Sequence, residues 1–196
     1  MDVSRQALVD AAARRFAEVG RGGVGPRDLV KRLGLPPEAV FRHFKNRDAL
    51  FAAVLGQVQR DLFAFIEAHC PVVAGESALS MILRLAEAYS RFLEERPEPF
   101  LELLRGPADP AETTTESDLE LARLTGRIAK QFEVLLLLGR LDGSVGAEAA
   151  GDTARRVLNV VVGTVRLNLT RPTARARNLC VMLTALVGCP ASVRAA

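Results

Sequence analysis

Cysteine and histidine, the side chains that bind zinc and that commonly serve as nucleophile and base, are few in this chain. The cysteines, Cys70, Cys180 and Cys189, are odd in number and widely spaced, and the two histidines are His43 and His69. Zinc sites need Cys or His ligands paired at short spacing, and the neighbours His69 and Cys70 diverge on a helix. We therefore expect no metal, no cofactor, no catalytic His/Cys site and no enzymatic activity. The cysteines are interpreted as small buried apolar residues.

Basic side chains are concentrated in the first third of the chain. Residues 1–60 hold 11 Lys and Arg against 6 Asp and Glu, a net charge of +5. Residues 61–196 hold 15 against 17, a net charge of −2. An anionic partner for the N-terminal part accounts for this division, although a solvated surface does so as well. A motif is needed to decide between the two.

The composition is that of a globular protein. Of the 196 residues, 49% are apolar and 25% are charged, which excludes a disordered chain. The longest aliphatic stretch, Val134 to Leu138, is far shorter than the ~20 residues that cross a bilayer. The N-terminus has no continuous apolar core of a secretory signal. We therefore expect a cytoplasmic protein with no contact to a membrane.

Apolar residues recur at the three-or-four spacing of helices, and convincing strand alternation is absent. The sequence therefore predicts an all-α fold of about nine helices. Ser4 suits the cap of a first helix that Gly20 ends, and Pro26 suits the start of a short second helix that Gly34 stops. Further helices are predicted at about 37–44, 48–70, 76–95, 100–104, up to 141, 147–170 and 173–188. The predicted buried positions include Val19 in the first helix and, in the helix at 48–70, Leu50, Phe51, Val54, Leu55, Val58, Leu62 and Phe65.

The second and third helices form the pattern of a helix-turn-helix. Both are short, a tight turn containing Gly34 joins them, and the third exposes basic side chains while Val40, Phe41 and Phe44 point inward. In such a unit the second of the two helices enters the major groove of DNA. The spacing alone is common among α-helical proteins, but the net positive charge of the same region favours DNA binding.

The stretch RDLVKRLGLPPEAVFRHFKNRDAL at residues 27–50 resembles the signature region of the tetracycline-repressor (TetR) family of bacterial regulators. The resemblance extends back through Ala11, Ala12 and Phe16 to Gly20. It implies a helix-turn-helix DNA-binding domain at 1–47, a connecting helix at 48–70, and a ligand-binding and dimerisation domain at 71–196. It also implies a homodimer that binds a palindromic operator in double-stranded DNA and is released by a small-molecule effector.

The resemblance also implies which residues contact DNA. Arg42 is the best candidate for pairing with a guanine, and Lys45 and Arg47 take the phosphate-binding positions at the start of the fourth helix. Glu38 either accepts a hydrogen bond from cytosine or repels phosphate, and His43 is as readily a packing residue. The whole predicted set is Arg27, Pro37, Glu38, Phe41, Arg42, His43, Lys45 and Arg47.

Four hydroxyl groups that are usual in the family are missing here. Gly25, Pro36 and Ala39 stand where Thr or Ser is common, and Phe41 stands where Tyr is common. Such groups cap helices and donate hydrogen bonds to phosphate, and each of these contacts contributes roughly 0.5–1.5 kcal/mol. An alternative function is therefore a sensor or interaction protein on the same scaffold that does not bind an operator.

The last two helices carry more apolar surface than a peripheral helix pair needs. A four-helix bundle formed with a second copy buries such surface, whereas the alternative is the core of a monomer. The predicted dimer interface consists of Val157, Val161, Thr164, Val165, Asn168, Leu179, Met182, Leu183 and Leu186.

Aromatic and aliphatic residues of the middle helices suggest a pocket for an apolar or amphipathic effector. The predicted pocket residues are Tyr89, Phe92, Phe100, Phe132 and Leu136, although each suits a core position as well.

Overall fold

The computed structural model describes residues 3–19, 23–95, 115–146, 150–170 and 177–187. Within these ranges the chain forms eight α-helices and no β-strand, in agreement with the predicted all-α fold. The helix expected at 100–104 lies outside the described residues. The helices are α1 (Arg5–Val19), α2 (Pro26–Leu33), α3 (Pro37–Phe41), α4 (Arg47–His69), α5 (Ala78–Glu95), α6 (Glu116–Leu141), α7 (Ala150–Thr170) and α8 (Arg177–Leu186).

The chain divides into two compact units. The described part of the first contains α1 to α3, α4 as far as Asp61 and α6 as far as Leu124. The second contains the remainder of α4 and α6 together with α5, α7 and α8. A division into compact units does not say which residues bind DNA or a ligand, so the functional limits at 1–47, 48–70 and 71–196 stay a prediction.

The core of the first unit includes one face of α1. The Ser4 Oγ accepts the Ala7 N–H at 3.2 Å, so Ser4 caps this helix as predicted. Phe16 packs edge-on against Phe51, with the ring centroids 5.0 Å apart. Val19 was expected on the buried face but is exposed, because it is the last residue of α1.

The turn between α2 and α3 depends on Gly34. Pro26 takes the first position of α2, and Gly34 ends that helix in the left-handed conformation, with φ at 62°. The N–H groups of Gly34 and Leu35 both bond to the Val30 carbonyl. Regular α3 ends at Phe41, earlier than the predicted residue 44. The chain continues in a turn, in which the N–H groups of His43 and Phe44 donate to the Val40 carbonyl. This turn fixes the direction in which α3 leaves α2.

The long helix α4 contributes to the core. It is long and apolar enough to cross a membrane by composition, with a mean hydropathy of 1.4 over its most apolar window. Core helices of soluble proteins meet the same criterion, and 44% of that window is buried inside the protein. Phe65, predicted to be buried, is only partly so, and the neighbouring Ile66 is buried instead. The other predicted core positions are buried, namely Leu50, Phe51, Val54, Leu55, Val58 and Leu62.

In the second unit α5 packs against α7 and α8. The N-terminus of α5 is held by the turn that follows α6. Asp142 accepts the Ala78 N–H at 2.8 Å, and the Ser144 Oγ accepts the Leu79 N–H at 3.1 Å. Hydrogen bonds from Ser144 and from the Ala78 backbone hold the pKa of Asp142 below its usual value. The turn therefore acts as a side-chain cap for a helix that is distant in sequence.

Most of the predicted dimer interface is core within a single chain, which corrects the prediction. The Asn168 amide donates to Glu94 Oε1 at 2.7 Å, and the Thr164 hydroxyl donates to the Val160 carbonyl at 2.8 Å. Met182 is 47% exposed, and Leu186 is partly exposed. The apolar periodicity predicted burial correctly, but the elements that cover it belong to the same chain. The residues buried in this way are Val157, Val161, Thr164, Val165, Asn168, Leu179 and Leu183.

Candidate functional site

The predicted DNA-binding residues lie on the surface formed by α2, α3 and the first turn of α4. All of them are exposed except His43, which is partly buried. Phe41 is 37% exposed, so its expected core position is wrong, whereas Phe44 is buried as predicted. The exposed positions on and around α3 provide the polar and basic groups that a helix needs to contact DNA.

A hydrogen bond links the two polar side chains at the end of α3. Arg42 Nε donates to His43 Nε2 at 3.3 Å, and the His43 ring lies tilted against Phe44. His43 thus contacts both Phe44 and the guanidinium of Arg42, which supports the packing alternative, while a contact of His43 with DNA stays a prediction. A guanidinium is a planar fork of donors whose shape suits the edge of a guanine.

The start of α4 is capped by a residue that the sequence analysis missed. Asn46 Oδ1 accepts the Ala49 N–H at 2.8 Å, so Asn46 is the N-cap and Arg47 is the first helical residue. An Asn directly before an apolar helical repeat is the signal that predicts such a cap. Lys45 and Arg47 therefore flank a helix N-terminus, whose partial positive charge adds to theirs and suits a phosphate.

Asp48 stands in the same first turn, but its carboxylate is held by α6. It accepts hydrogen bonds from the Ser117 hydroxyl and, at 3.2 Å, from the Ser117 N–H. Burial raises the pKa of Asp48, but hydrogen bonds from Ser117, from the Glu116 backbone and from Thr115 together outweigh it and keep the pKa below its usual value. Thr115 caps α6 by accepting the Asp118 N–H at 3.2 Å. The Thr115-x-x-Asp118 spacing could have predicted this helix start, but not the link to Asp48.

Part of the positive charge of the first unit is neutralised by ion pairs within it. Arg15 contacts Glu18 at 3.0 Å and Asp28 at 3.3 Å, and Arg32 contacts Glu18 at 3.1 Å. The Arg15–Asp28 and Arg32–Glu18 pairs join α1 to α2, whereas the Arg15–Glu18 pair lies within α1. Because the pairs also use two acidic residues, Glu18 and Asp28, the net charge of +5 is unchanged and rests on other basic residues, among them Lys45 and Arg47 beside the start of α4.

The missing hydroxyl groups have different structural consequences. Gly25 and Pro36 are the N-caps of α2 and α3, and neither helix has a side-chain cap bond. Ala39 is buried, so a hydroxyl there would face the protein interior. Phe41 is exposed, and a hydroxyl on its ring would extend this surface. Only three of the four positions therefore concern helix capping or DNA contact.

The second unit contains a cavity of about 480 Å³, open to solvent, between α4, α5 and α6. Ligand sites of small molecules are commonly of this size. Cys70, which lines the cavity, is half-buried rather than buried, and desolvation raises the pKa of its thiol. Cys180 is half-buried as well, and Cys189 lies outside the described residues. The lining residues are Phe63, Ile66, Cys70, Pro71, Val72, Met81, Arg84, Leu85, Arg127, Lys130, Gln131, Val134 and Leu135.

None of the predicted pocket residues lines this cavity. Tyr89, Phe92, Phe132 and Leu136 are buried in the core of the unit, where the rings of Tyr89 and Phe132 are 5.7 Å apart. Phe100 lies outside the described residues. The other predicted residues lie on α5 and α6, which also line the cavity, but on the sides of these helices that face the core. Helical periodicity marks every apolar position and does not distinguish a packed face from a cavity wall.

Comparison with known proteins adds evidence that is independent of this geometry. The family described as bacterial regulatory proteins, tetR family, matches residues 8–54. The chain is 30% identical over 168 residues to the HTH-type transcriptional repressor Rv3405c of Mycobacterium tuberculosis, covering 81% of this chain and 87% of that protein. The chain belongs to the TetR family. It is therefore a DNA-binding transcriptional regulator and not an enzyme.

Two further relatives extend the match over most of this TetR regulator. The HTH-type transcriptional repressor AcnR of Corynebacterium diphtheriae is 26% identical over 186 residues, which cover 85% of this chain and 93% of that protein. A putative transcriptional regulator from Saccharomonospora viridis in complex with choline superposes with a TM-score of 0.73 at 17% identity, covering 93% and 94% of the two chains. The structural match concerns the fold alone.

Proposed function

We propose that this TetR regulator is a repressor that binds a palindromic operator as a homodimer in the cytoplasm and is released by a small apolar or amphipathic effector. The observation that carries the proposal is the exposed surface of α3 and the first turn of α4, held by the Gly34 turn and the Asn46 cap. Relatives named as repressors support the direction of regulation.

Within this proposal the eight predicted residues of the α2–α4 surface contact DNA in two ways. Arg42, positioned by its bond to His43, reads a base edge, whereas Lys45 and Arg47 contact phosphate. Glu38 and Phe41 lie on α3 and contribute to the choice of sequence. Arg27 and Pro37, at the starts of α2 and α3, contact the DNA backbone.

The proposed dimer interface is the outward face of α7 and α8 rather than the buried set first predicted. Apolar side chains remain exposed there, including Val181 at 68% and Met182 at 47%. A symmetric contact through this face would bury them and would pair two helix-turn-helix units for the two halves of a palindrome.

The effector site in this proposal is the cavity between α4, α5 and α6. Its wall is mostly apolar, it is open to solvent, and its volume suits a small molecule. The choline complex of the Saccharomonospora viridis regulator supports the binding of a small molecule by this fold.

Operator binding is tested by comparing DNA from upstream of the protein's own gene with a shuffled duplex over a series of salt concentrations. We expect operator-specific retention with a steep negative salt slope, because the cations release counterions from the phosphates. Arg42→Ala should lose about 1–3 kcal/mol of discrimination between sequences, whereas Arg47→Ala should weaken binding to all sequences alike.

Arg155→Ala is the matched control, because Arg155 is exposed, basic and located on α7 of the second unit. Arg155→Ala should leave the affinities for the operator and for the shuffled duplex unchanged. Equal affinity of the wild-type protein for operator and shuffled DNA would refute the repressor proposal.

A sensor without operator binding is the second candidate, and the absence of side-chain caps on α2 and α3 favours it. Retention of the effector together with sequence-independent DNA binding at all salt concentrations would support this function instead.

A further inference from the structure

The cavity in the second unit combines an apolar wall with hydrogen-bond donors and cations. Its apolar part comes from α4, α5 and α6, with Ile66, Leu85 and Leu135 among the lining residues. Its polar part includes Arg84, Arg127, Lys130 and Gln131, and no acidic residue is among those that line it. A cavity with this distribution is matched by a molecule with an apolar body and a negative end.

The three cations are not equivalent. Arg84 forms a close pair with Glu76, with an N···O distance of 2.6 Å, and Lys130 pairs with Glu133 at 3.0 Å. Arg127 instead lies over the ring of Phe63, 4.2 Å from its centroid, and has no carboxylate partner among the described residues. The ring holds the planar guanidinium through a cation–π contact and leaves its edge N–H groups available.

A second donor is oriented by a buried hydroxyl. The Tyr89 O–H donates to Gln131 Oε1, and Tyr89 is 1% exposed. Burial raises the pKa of Tyr89 well above its usual value, so its hydroxyl stays protonated and donating. The carbonyl end of the Gln131 amide is thereby assigned to Tyr89, and its NH₂ group is the end left to donate to a ligand.

We propose that the effector is an amphipathic anion whose negative group is bound by Arg127 and the Gln131 NH₂ group while its apolar body fills the cavity. The inference rests on the proposed ligand response and specifies the chemical class of the ligand. A carboxylate fits the planar fork of Arg127 with two parallel hydrogen bonds, and the Gln131 amide adds a third donor. A cationic ligand would meet the positive charge of Arg127, which no carboxylate among the lining residues balances.

The test uses three probes with the same alkyl chain: decanoate, decanol and decyltrimethylammonium. Their binding to the purified protein without DNA is measured by calorimetry, at concentrations below micelle formation. Decanoate should bind at least tenfold more tightly than decanol, because a charge-assisted hydrogen bond is stronger than one between neutral groups. Decyltrimethylammonium should bind more weakly than decanol. Equal affinity for decanoate and decanol, or tighter binding of the cation, overturns the proposal.

Variants of Arg127 test whether this residue binds the carboxylate of the probe. Arg127→Gln should weaken decanoate binding about tenfold and leave decanol binding within about twofold, whereas Arg127→Lys should retain part of the preference for decanoate. Arg123→Gln is the control, because Arg123 is an exposed arginine of the same helix that does not line the cavity. A loss of decanoate affinity in Arg123→Gln equal to that in Arg127→Gln overturns the assignment.

A cavity-filling variant shows whether the probes occupy this site. Leu135→Trp adds volume at a partly buried lining position and should weaken decanoate and decanol alike, with the thermal unfolding midpoint recorded for each variant. Unchanged binding in a folded Leu135→Trp variant overturns the site. Operator binding is measured separately, so a protein that binds DNA but no anion refutes only this inference, and one that binds anions but no operator refutes only the proposed repressor.

Discussion

Gly25 caps α2 without a side chain, and its conformation would accept one. Its backbone is extended, with φ at −159°, and a Cβ there would meet Arg47 at 3.8 Å, an ordinary contact. In Gly25→Ser the added Oγ can accept the Asp28 N–H in the first turn. We expect Gly25→Ser to be about 1 kcal/mol more stable than Gly25→Ala, which adds the Cβ without the acceptor. Urea unfolding measures the difference, and equal stability of the two variants would contradict the capping argument.

At the level of single residues, the sequence predicted best where a position depends on its immediate neighbours. As expected, α2 begins at Pro26 and ends before Gly34. The missing N–H of proline and the left-handed φ of glycine are local properties, so the sequence predicts them directly. The roles proposed for Arg127 and Gln131 were not predictable, because the contacts that orient them come from Phe63 and Tyr89, which are distant in sequence. The same reason explains why Ser117 was missed as the partner of Asp48.

At the level of elements, the link between Asp48 and Ser117 joins the first turns of α4 and α6. Ser117→Ala removes the hydroxyl donor from a charged acceptor, and we expect a loss of about 1 kcal/mol in the free energy of unfolding at neutral pH. Since the pKa of Asp48 is lower in the folded state, this stabilisation is complete above the unfolded value of 3.8 and is lost as the pH falls through the folded pKa.

Urea titrations of the wild-type protein and Ser117→Ala at neutral and acidic pH measure this loss, and the stability difference should shrink below pH 3.8. In an Asp48→Asn background the same difference should no longer depend on pH, because residue 48 cannot titrate. A difference that stays constant down to acid denaturation would show that Asp48 does not respond to the hydroxyl.

Helix periodicity also explains why the sequence predicted the buried face of α7 but not what covers it. Its valines recur at helical spacing, which predicts a buried face, and Val157, Val161 and Val165 are indeed buried. Periodicity does not identify what covers a face, and here the neighbouring helices of the same chain do so. The apolar residues that remain exposed on α7 and α8 are fewer and less regular, so the periodicity marked the face that is buried within the chain.

At the level of the whole molecule, a palindromic operator requires two copies of the chain in a symmetric assembly. Val181 is 68% exposed on α8, and a charge in its place would be buried without a partner in the proposed interface. We expect Val181→Glu to weaken dimerisation by roughly 100-fold. Binding to the full palindrome should then fall to the affinity of a single half-site, while the helical content remains that of the wild type.

Leu141→Glu is the matched control for this experiment, because Leu141 is 86% exposed at the end of α6 and lies outside the proposed interface. Sedimentation velocity over a range of protein concentrations should give a dimer for the wild type and Leu141→Glu, and a monomer for Val181→Glu. A dimer that persists in Val181→Glu with the wild-type affinity would exclude this face of α8 as the contact. A wild-type protein that stays monomeric at all concentrations would exclude the symmetric dimer itself, and with it the simultaneous recognition of both halves of a palindrome by one assembly.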